Sequence, residues 1–262
     1  MFLKVIACEI ARREICFVVA KSRNIVDLEF LPVGYHDEPQ VGRGILQAHV
    51  DLVPKGQYDA ILIGYGLCNT MLVGLTARDT RLVIPRAHDC ITFFLGSKER
   101  YQQVFSANPG TYFYTAGWLE LPKCKRRESD RHGLGRDELP SQNVPIAFGK
   151  SFAELVEQYG EENALYILEV AHGWTQKYKC GMLISFDFTE HLGLREEVRE
   201  ICRQRGWEYR ELKGDLGLLE RWVDGQWDEA EFLIVQPGET VYATYDEQII
   251  AASKTIPNHR GV

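Results

Sequence analysis

Three short apolar runs constrain this chain more than anything else in it. They are Phe2-Leu-Lys-Val-Ile-Ala-Cys8, Tyr58-Asp-Ala-Ile-Leu-Ile-Gly-Tyr-Gly-Leu-Cys68 and Arg81-Leu-Val-Ile-Pro-Arg-Ala-His-Asp-Cys90. Each stops at a small or polar turn and then presents a cysteine. Runs of this length with β-branched residues read as strands buried on both faces. If the three are parallel neighbours in one sheet, their thiols emerge together beyond the carboxyl ends, where open α/β sheets place ligands.

The segments between the runs carry a helical period. Ala11 to Lys21 puts Ile15, Val18 and Val19 on one face, with Arg12, Arg13 and Glu14 outside. Val26 to Val33 reads as a strand, Gln40 to Leu52 as a helix, Asn69 to Ala77 as a short helix and Thr92 to Phe105 as a longer one. Thr111 to Trp118 is rich in strand formers. Leu121 to Lys150 breaks the alternation with prolines and charges and reads as a linker or lid. Beyond it, Ser151-Phe-Ala-Glu154 is a capping box, and a helix follows at about 161–178. Strand and helix then recur: Met182 to Phe186, Leu194 to Arg205, Trp207 to Leu212, Asp215 to Val223, Phe232 to Gln236 and Val241 to Tyr245. Strands alternating with helices imply parallel sheets with right-handed crossovers. The expected architecture is α/β: two Rossmann-like parallel-sheet units with helices on both faces and a cleft between them. The expected boundaries are 1–120 for the unit with the cysteine-bearing strand ends, 121–150 for the linker or lid, and 151–262 for a C-terminal unit.

At 262 residues the chain is long enough for one large or two small domains. A net charge of −7 disfavours a surface that tracks nucleic-acid phosphates. The short basic cluster Lys123 to Arg127 reads as a solvated loop. No apolar stretch reaches the ~20 residues of a membrane helix, and the first residues lack a signal-peptide layout. The expectation is a cytoplasmic protein with neither nucleic-acid nor membrane partners. Seven cysteines in a reducing compartment are core residues, reactive thiols or metal ligands. There is no CxxC, P-loop, GxSxG or HExxH motif.

Taken singly, a cysteine is more often core than ligand. Cys202 and Cys16 read as core, Cys124 as an exposed loop residue, and Cys180 as either. Cys8, Cys68 and Cys90 differ because they share one topological place. His88, two residues before Cys90, could add a nitrogen, making Cys8, Cys68, Cys90 and His88 the candidate metal set. Three thiolates and an imidazole suit zinc. Three well-separated thiolates with one open position equally suit a [4Fe–4S] iron–sulfur cluster. Spacings of 60 and 22 residues argue against a structural zinc knuckle, and the reading taken forward leans to iron–sulfur. Arg86 could orient a carboxylate or phosphate on a small substrate, and Tyr101 could serve as an acid–base or orienting group. Gly64 and Gly66 follow a strand as dinucleotide loops do, but Asn69 stands where a third glycine belongs. They read as turn glycines that let backbone approach a bound cofactor.

The runs Gly64-Tyr-Gly-Leu-Cys-Asn69, Leu82-Val-Ile-Pro-Arg-Ala-His-Asp-Cys-Ile-Thr92, Leu95-Gly-Ser-Lys-Glu-Arg-Tyr101 and Pro109-Gly-Thr-Tyr-Phe-Tyr-Thr115 resemble a prokaryotic family, domain of unknown function 1638. The resemblance extends to Tyr159-Gly-Glu-Glu-Asn163, Gly214-Asp-Leu216, Pro237-Gly238 and Tyr245-Asp-Glu247, nearly the whole chain. It brings no settled activity. It implies a setting, since such proteins resemble companions of corrinoid methyl-transfer systems that demethylate methylamines and betaines. Cys8, Cys68, His88 and Cys90 fall within its motifs, and Cys180 does not. His88-Asp-Cys90 also resembles half of the His-x-Cys set of zinc thiol methyltransferases. The implied function is a metal-dependent enzyme, of lyase or methyl-transfer type, or a metal-bearing accessory protein of corrinoid-linked one-carbon metabolism, acting on a small anionic substrate. The alternative is a non-catalytic module that binds a corrinoid protein or methyltransferase, its thiols merely buried.

Overall fold

The computed structural model describes residues 1–108, 110–121, 146–147, 150–151, 178–244 and 246–255. In chain order the strands are β1 (Phe2–Cys8), β2 (Ile25–Leu31), β3 (Ala60–Gly64), β4 (Leu82–Pro85), β5 (Thr111–Tyr114) and β6 (Ile146–Ala147). Then come β7 (Lys150–Ser151), β8 (Cys180–Ser185), β9 (Glu208–Lys213), β10 (Phe232–Val235), β11 (Thr240–Ala243) and β12 (Ile250–Ser253). The α-helices are α1 (Arg12–Val19), α2 (Pro39–Asp51), α3 (Ile91–Leu95), α4 (Lys98–Ala107), α5 (Ala116–Glu120), α6 (Leu194–Arg205) and α7 (Gly217–Asp224). The chain is a mixed α/β protein of two compact units, Met1–Ala107 with Lys213–Val262, and Asn108–Leu212.

The first unit holds a five-stranded sheet of order β10-β4-β3-β1-β2. β1 is parallel to β2 and β3, and β3 to β4, whereas β10 returns antiparallel to β4. Every residue of β3 and β4 is buried, which is why both read as unbroken apolar runs. The edge strand β2 alternates exposed and half-buried positions over Ile25 to Leu28. Trp222 of α7 is fully buried, and its indole N–H donates to the Val83 carbonyl at 3.1 Å. The second unit holds a three-stranded sheet of order β5-β8-β9, with β5 and β8 parallel. Leu194, Val198 and Cys202 of α6 pack on Tyr114 and Leu183 of that sheet.

Several sequence expectations shift. β10 joins the first sheet, so 213–262 belongs with the N-terminal residues and not with a C-terminal unit beginning at 151. Residues 69–77 form turns instead of a helix, because Cys68, Asn69 and Thr70 are left-handed and Gly74 has φ 94°. The single helix expected over Thr92–Phe105 is two, α3 and α4, split where Gly96 adopts φ 80°. Thr111–Trp118 is a strand only to Tyr114, since the Thr115 hydroxyl accepts from the Trp118 N–H and starts α5. Cys16 is exposed, not core, because α1 turns Ile15 and Val18 inward. Cys124, most of the 121–150 lid or linker and the helices expected over 151–178 lie outside the described residues, apart from Ser151 in β7 and Tyr178.

Candidate functional site

The order of the first sheet fixes where its ligand position falls. From β1 the chain steps to β2 on one side and then to β3 on the other. The reversal lies between β1 and β3, and crevices at such points, beyond the strand ends, are where doubly wound sheets bind ligands. Cys8 is the last residue of β1. β3 ends at Gly64, facing Ala7 in register, and the chain runs on through Tyr65 to Cys68. Cys90 follows β4 and stands at the N-terminus of α3.

Backbone contacts draw the second and third cysteine loops together. The Leu67 N–H donates to the Ala87 carbonyl at 2.7 Å and the Cys68 N–H to that of His88 at 2.9 Å. A Cβ on Gly66 would stand 2.9 Å from both Cα and N of Asp89. Only glycine permits so close an approach of two backbones. Cys68, Asn69 and Thr70 have φ of 44°, 57° and 68°. Left-handed backbone at non-glycine residues costs about 1–3 kcal/mol each and persists only where the surroundings enforce it. Here the Cys68 carbonyl accepts from Met71 at 3.2 Å, and the Asn69 amide donates to the His36 carbonyl at 3.2 Å. Asp89 pins the Cys90 loop. One carboxylate oxygen accepts from the Ile91 N–H and the other from the Tyr101 hydroxyl, each at 2.9 Å.

Electrostatics tie the thiols to one another. Burial pushes the Cys68 thiol up to about 12, with Cys8 and Asp89 adding to the shift. Burial raises the Cys90 thiol far above its usual value, reinforced by Asp89, Cys68 and Cys8. Tyr65 is raised by burial and then by Cys8, Cys68 and Tyr35, and Tyr35 by burial and then by Cys8. Burial thus raises Cys68, Cys90, Tyr65 and Tyr35 together, and Cys8 adds to each of these shifts. At neutral pH the Cys68 and Cys90 sulfurs are neutral, and a bound cation would favour their ionised form.

The residues singled out from sequence fare differently. Cys8, Cys68 and Cys90 are all half-buried, and Cys68 and Cys8 both add to the upward shift of Cys90 that burial and Asp89 begin. The His88 side chain is exposed, while its carbonyl accepts from the Cys68 N–H. Arg86 does not stand ready for an anion. Its Nε donates to the Glu229 carbonyl at 2.8 Å and its Nη1 to those of Gln248, at 2.9 Å, and Ile250, so it clamps the segment around β12. Tyr101 meets the site through Asp89, to whose carboxylate its hydroxyl donates. Gly64 and Gly66 make room for protein. A side chain on Gly64 would strike Ala7 and Trp222, and one on Gly66 would strike Asp89. Sequence reading missed Tyr35, Tyr65 and Asp89. Each stands in the first turn beyond a strand, beside a glycine or a cysteine.

Among the described residues no three His, Cys, Asp or Glu side chains form a ready ligand set for a single metal ion. The second unit has a small cavity of about 110 Å³ where β8 meets α6, with Arg195 at its wall paired to Glu190 and Glu211.

Fold and site together define an α/β protein with a thiol-bearing switch point. The chain belongs to the family described as a protein of unknown function, DUF1638, whose model matches residues 30–223. Cys68, His88 and Cys90 lie inside the match, whereas Cys8 and the motifs at 237–238 and 245–247 lie outside it. No curated protein and no solved structure matches the chain.

Proposed function

We propose that Cys8, Cys68 and Cys90 hold a [4Fe–4S] cluster at the switch point between β1 and β3. The supporting observation is that three cysteines arrive just beyond the carboxyl ends of three neighbouring parallel strands, β1, β3 and β4. A cubane is preferred to zinc here because three cysteines far apart in sequence, with no fourth beside them, match a cluster with one iron left to substrate. With Cys8, Cys68 and Cys90 as its protein ligands, the cluster would keep one iron free of protein and would supply Lewis acidity there. The protein's own part is to bury the Cys68 and Cys90 sulfurs, fix the Cys90 loop through Asp89 and Tyr101, and keep His88 exposed. The substrate is small. An anionic one finds no support in Arg86, whose Nε and Nη1 donate to main-chain carbonyls, and Asp89 biases the rim against it. The sequence resemblance supplies the setting: corrinoid-linked one-carbon metabolism, with a corrinoid protein or methyltransferase as partner.

Anaerobic reconstitution with iron and sulfide tests the reading, alongside loading with zinc alone. About four irons per chain with a charge-transfer spectrum is the expected result. Protein that folds normally yet takes up neither metal would instead support a binding module with buried thiols.

A further inference from the structure

Tyr65 is the first residue beyond β3 and only 4% exposed. Its hydroxyl has no hydrogen-bond partner among the described residues. A buried hydroxyl without a partner is a net cost to a folded chain, and native structures seldom keep one without a use. Tyr65 follows Gly64, the register partner of Ala7, and so stands beside Cys8 at the end of β1; burial raises its phenol, and Cys8, Cys68 and Tyr35 add to that. It sits between Gly64, packed on Ala7 and Trp222, and Gly66, packed on Asp89, so the backbone on both sides is fixed.

We propose that the Tyr65 hydroxyl is a built-in hydrogen-bond donor to the sulfur of the group held by Cys8 and Cys68. Tyr65 is thus a positioning residue that tunes that group without ligating it. The inference rests on the cluster reading above. Its chemistry is that of outer-shell partners: hydrogen bonds to cluster sulfurs stabilise the reduced, more negative state and so raise the reduction potential. Without the group, the same hydroxyl is an unpaired liability.

The two states give opposite signs in one variant, Tyr65→Phe. In metal-free protein it removes the unpaired hydroxyl, and Tm rises. In the loaded protein it removes a donor: the midpoint potential moves negative, and iron is lost to a chelator about tenfold faster, at the lower end of measured outer-shell effects. A tenfold loss of preference for the reduced form corresponds to about 59 mV for one electron. Fluorotyrosine introduced at position 65 keeps the ring and strengthens the donor, so the potential moves positive. It also serves if the phenylalanine variant fails to fold. Full iron loading with potential and chelator rate unchanged in both variants overturns the assignment while leaving the cluster intact. Wild-type protein that takes up no iron overturns the cluster, and Tyr65's role with it.

Discussion

The two units solve the same folding problem with opposite treatment of their sulfur and aromatic groups. Both build parallel α/β layers. In the first, three of four cysteines, Cys8, Cys68 and Cys90, end a strand or follow one closely, and a buried phenol there has no hydrogen-bond partner among the described residues. In the second, Cys180 begins β8 and Cys202 faces inward from α6, where its thiol meets the Gly181 carbonyl at 3.9 Å. Its aromatic groups satisfy one another. The Trp118 indole donates to the Tyr112 hydroxyl at 2.9 Å, and Tyr112 lies 5.0 Å from Tyr114 and 5.9 Å from Trp207 between ring centroids. A thiol's place on its strand, more than its burial, separates a candidate ligand from a packing residue.

The sharpest way to break this comparison is serine substitution in each unit. Cys8→Ser, Cys68→Ser or Cys90→Ser should each take reconstituted iron from about four per chain to near zero. Cys180→Ser and Cys202→Ser should leave loading unchanged, by elemental analysis. Loading that survives all three substitutions in the first unit would dissolve the distinction.

Alanine at two glycines comes next. Gly66→Ala presses on the Asp89 backbone, which cannot yield as a side-chain tip does. Gly181→Ala presses on the Cys202 sulfur. Each should lower unfolding free energy by about 1–3 kcal/mol in denaturant titrations, but only Gly66→Ala should also impair metal uptake.

A pH series of the metal-free protein sharpens the same point. In the window from 9.0 to about 12 the folded chain keeps Cys68 protonated while the unfolded chain ionises it. The folded state then binds more protons, so stability falls as pH rises through that window. Cys68→Ser should flatten that limb relative to wild type, and Cys180→Ser should flatten it less.

The smallest effects belong to single hydrogen bonds. Tyr101→Phe frees one Asp89 oxygen and should cost about 1–2 kcal/mol, with slower cluster assembly, while Tyr112→Phe should cost about 1 kcal/mol and leave assembly alone.

What the sequence revealed follows from which forces are local. β3 and β4 were legible because strands buried on both faces leave an uninterrupted apolar run, and β1 because only Lys4 breaks its own. The shared rim of the three cysteines followed from that. The turn at 69–77 was not legible, since its backbone is held by long-range partners: Gly74 donates to the Val241 carbonyl and Val241 to that of Leu75, each at 2.8 Å. Local propensity cannot report bonds to a segment some 170 residues away. The role of Arg86 was hidden for the same reason, as its carbonyl acceptors lie at 229, 248 and 250. Cys16 was misplaced because one helical step of about 100° separates an inward Ile15 from an outward neighbour. Tyr65 and Asp89 could have been flagged by proximity to the cysteine loops, but an unpartnered hydroxyl is visible only once packing is known.

The return of β10 to the edge of β4 has a temporal consequence. A ribosome delivers the chain from its amino end, so all three cysteines have been made well before Trp222 and Phe232 arrive to cover β4. For that interval the edge of β4 is unpaired. On the cluster reading, loading during synthesis would meet the thiols before β10 has completed the sheet.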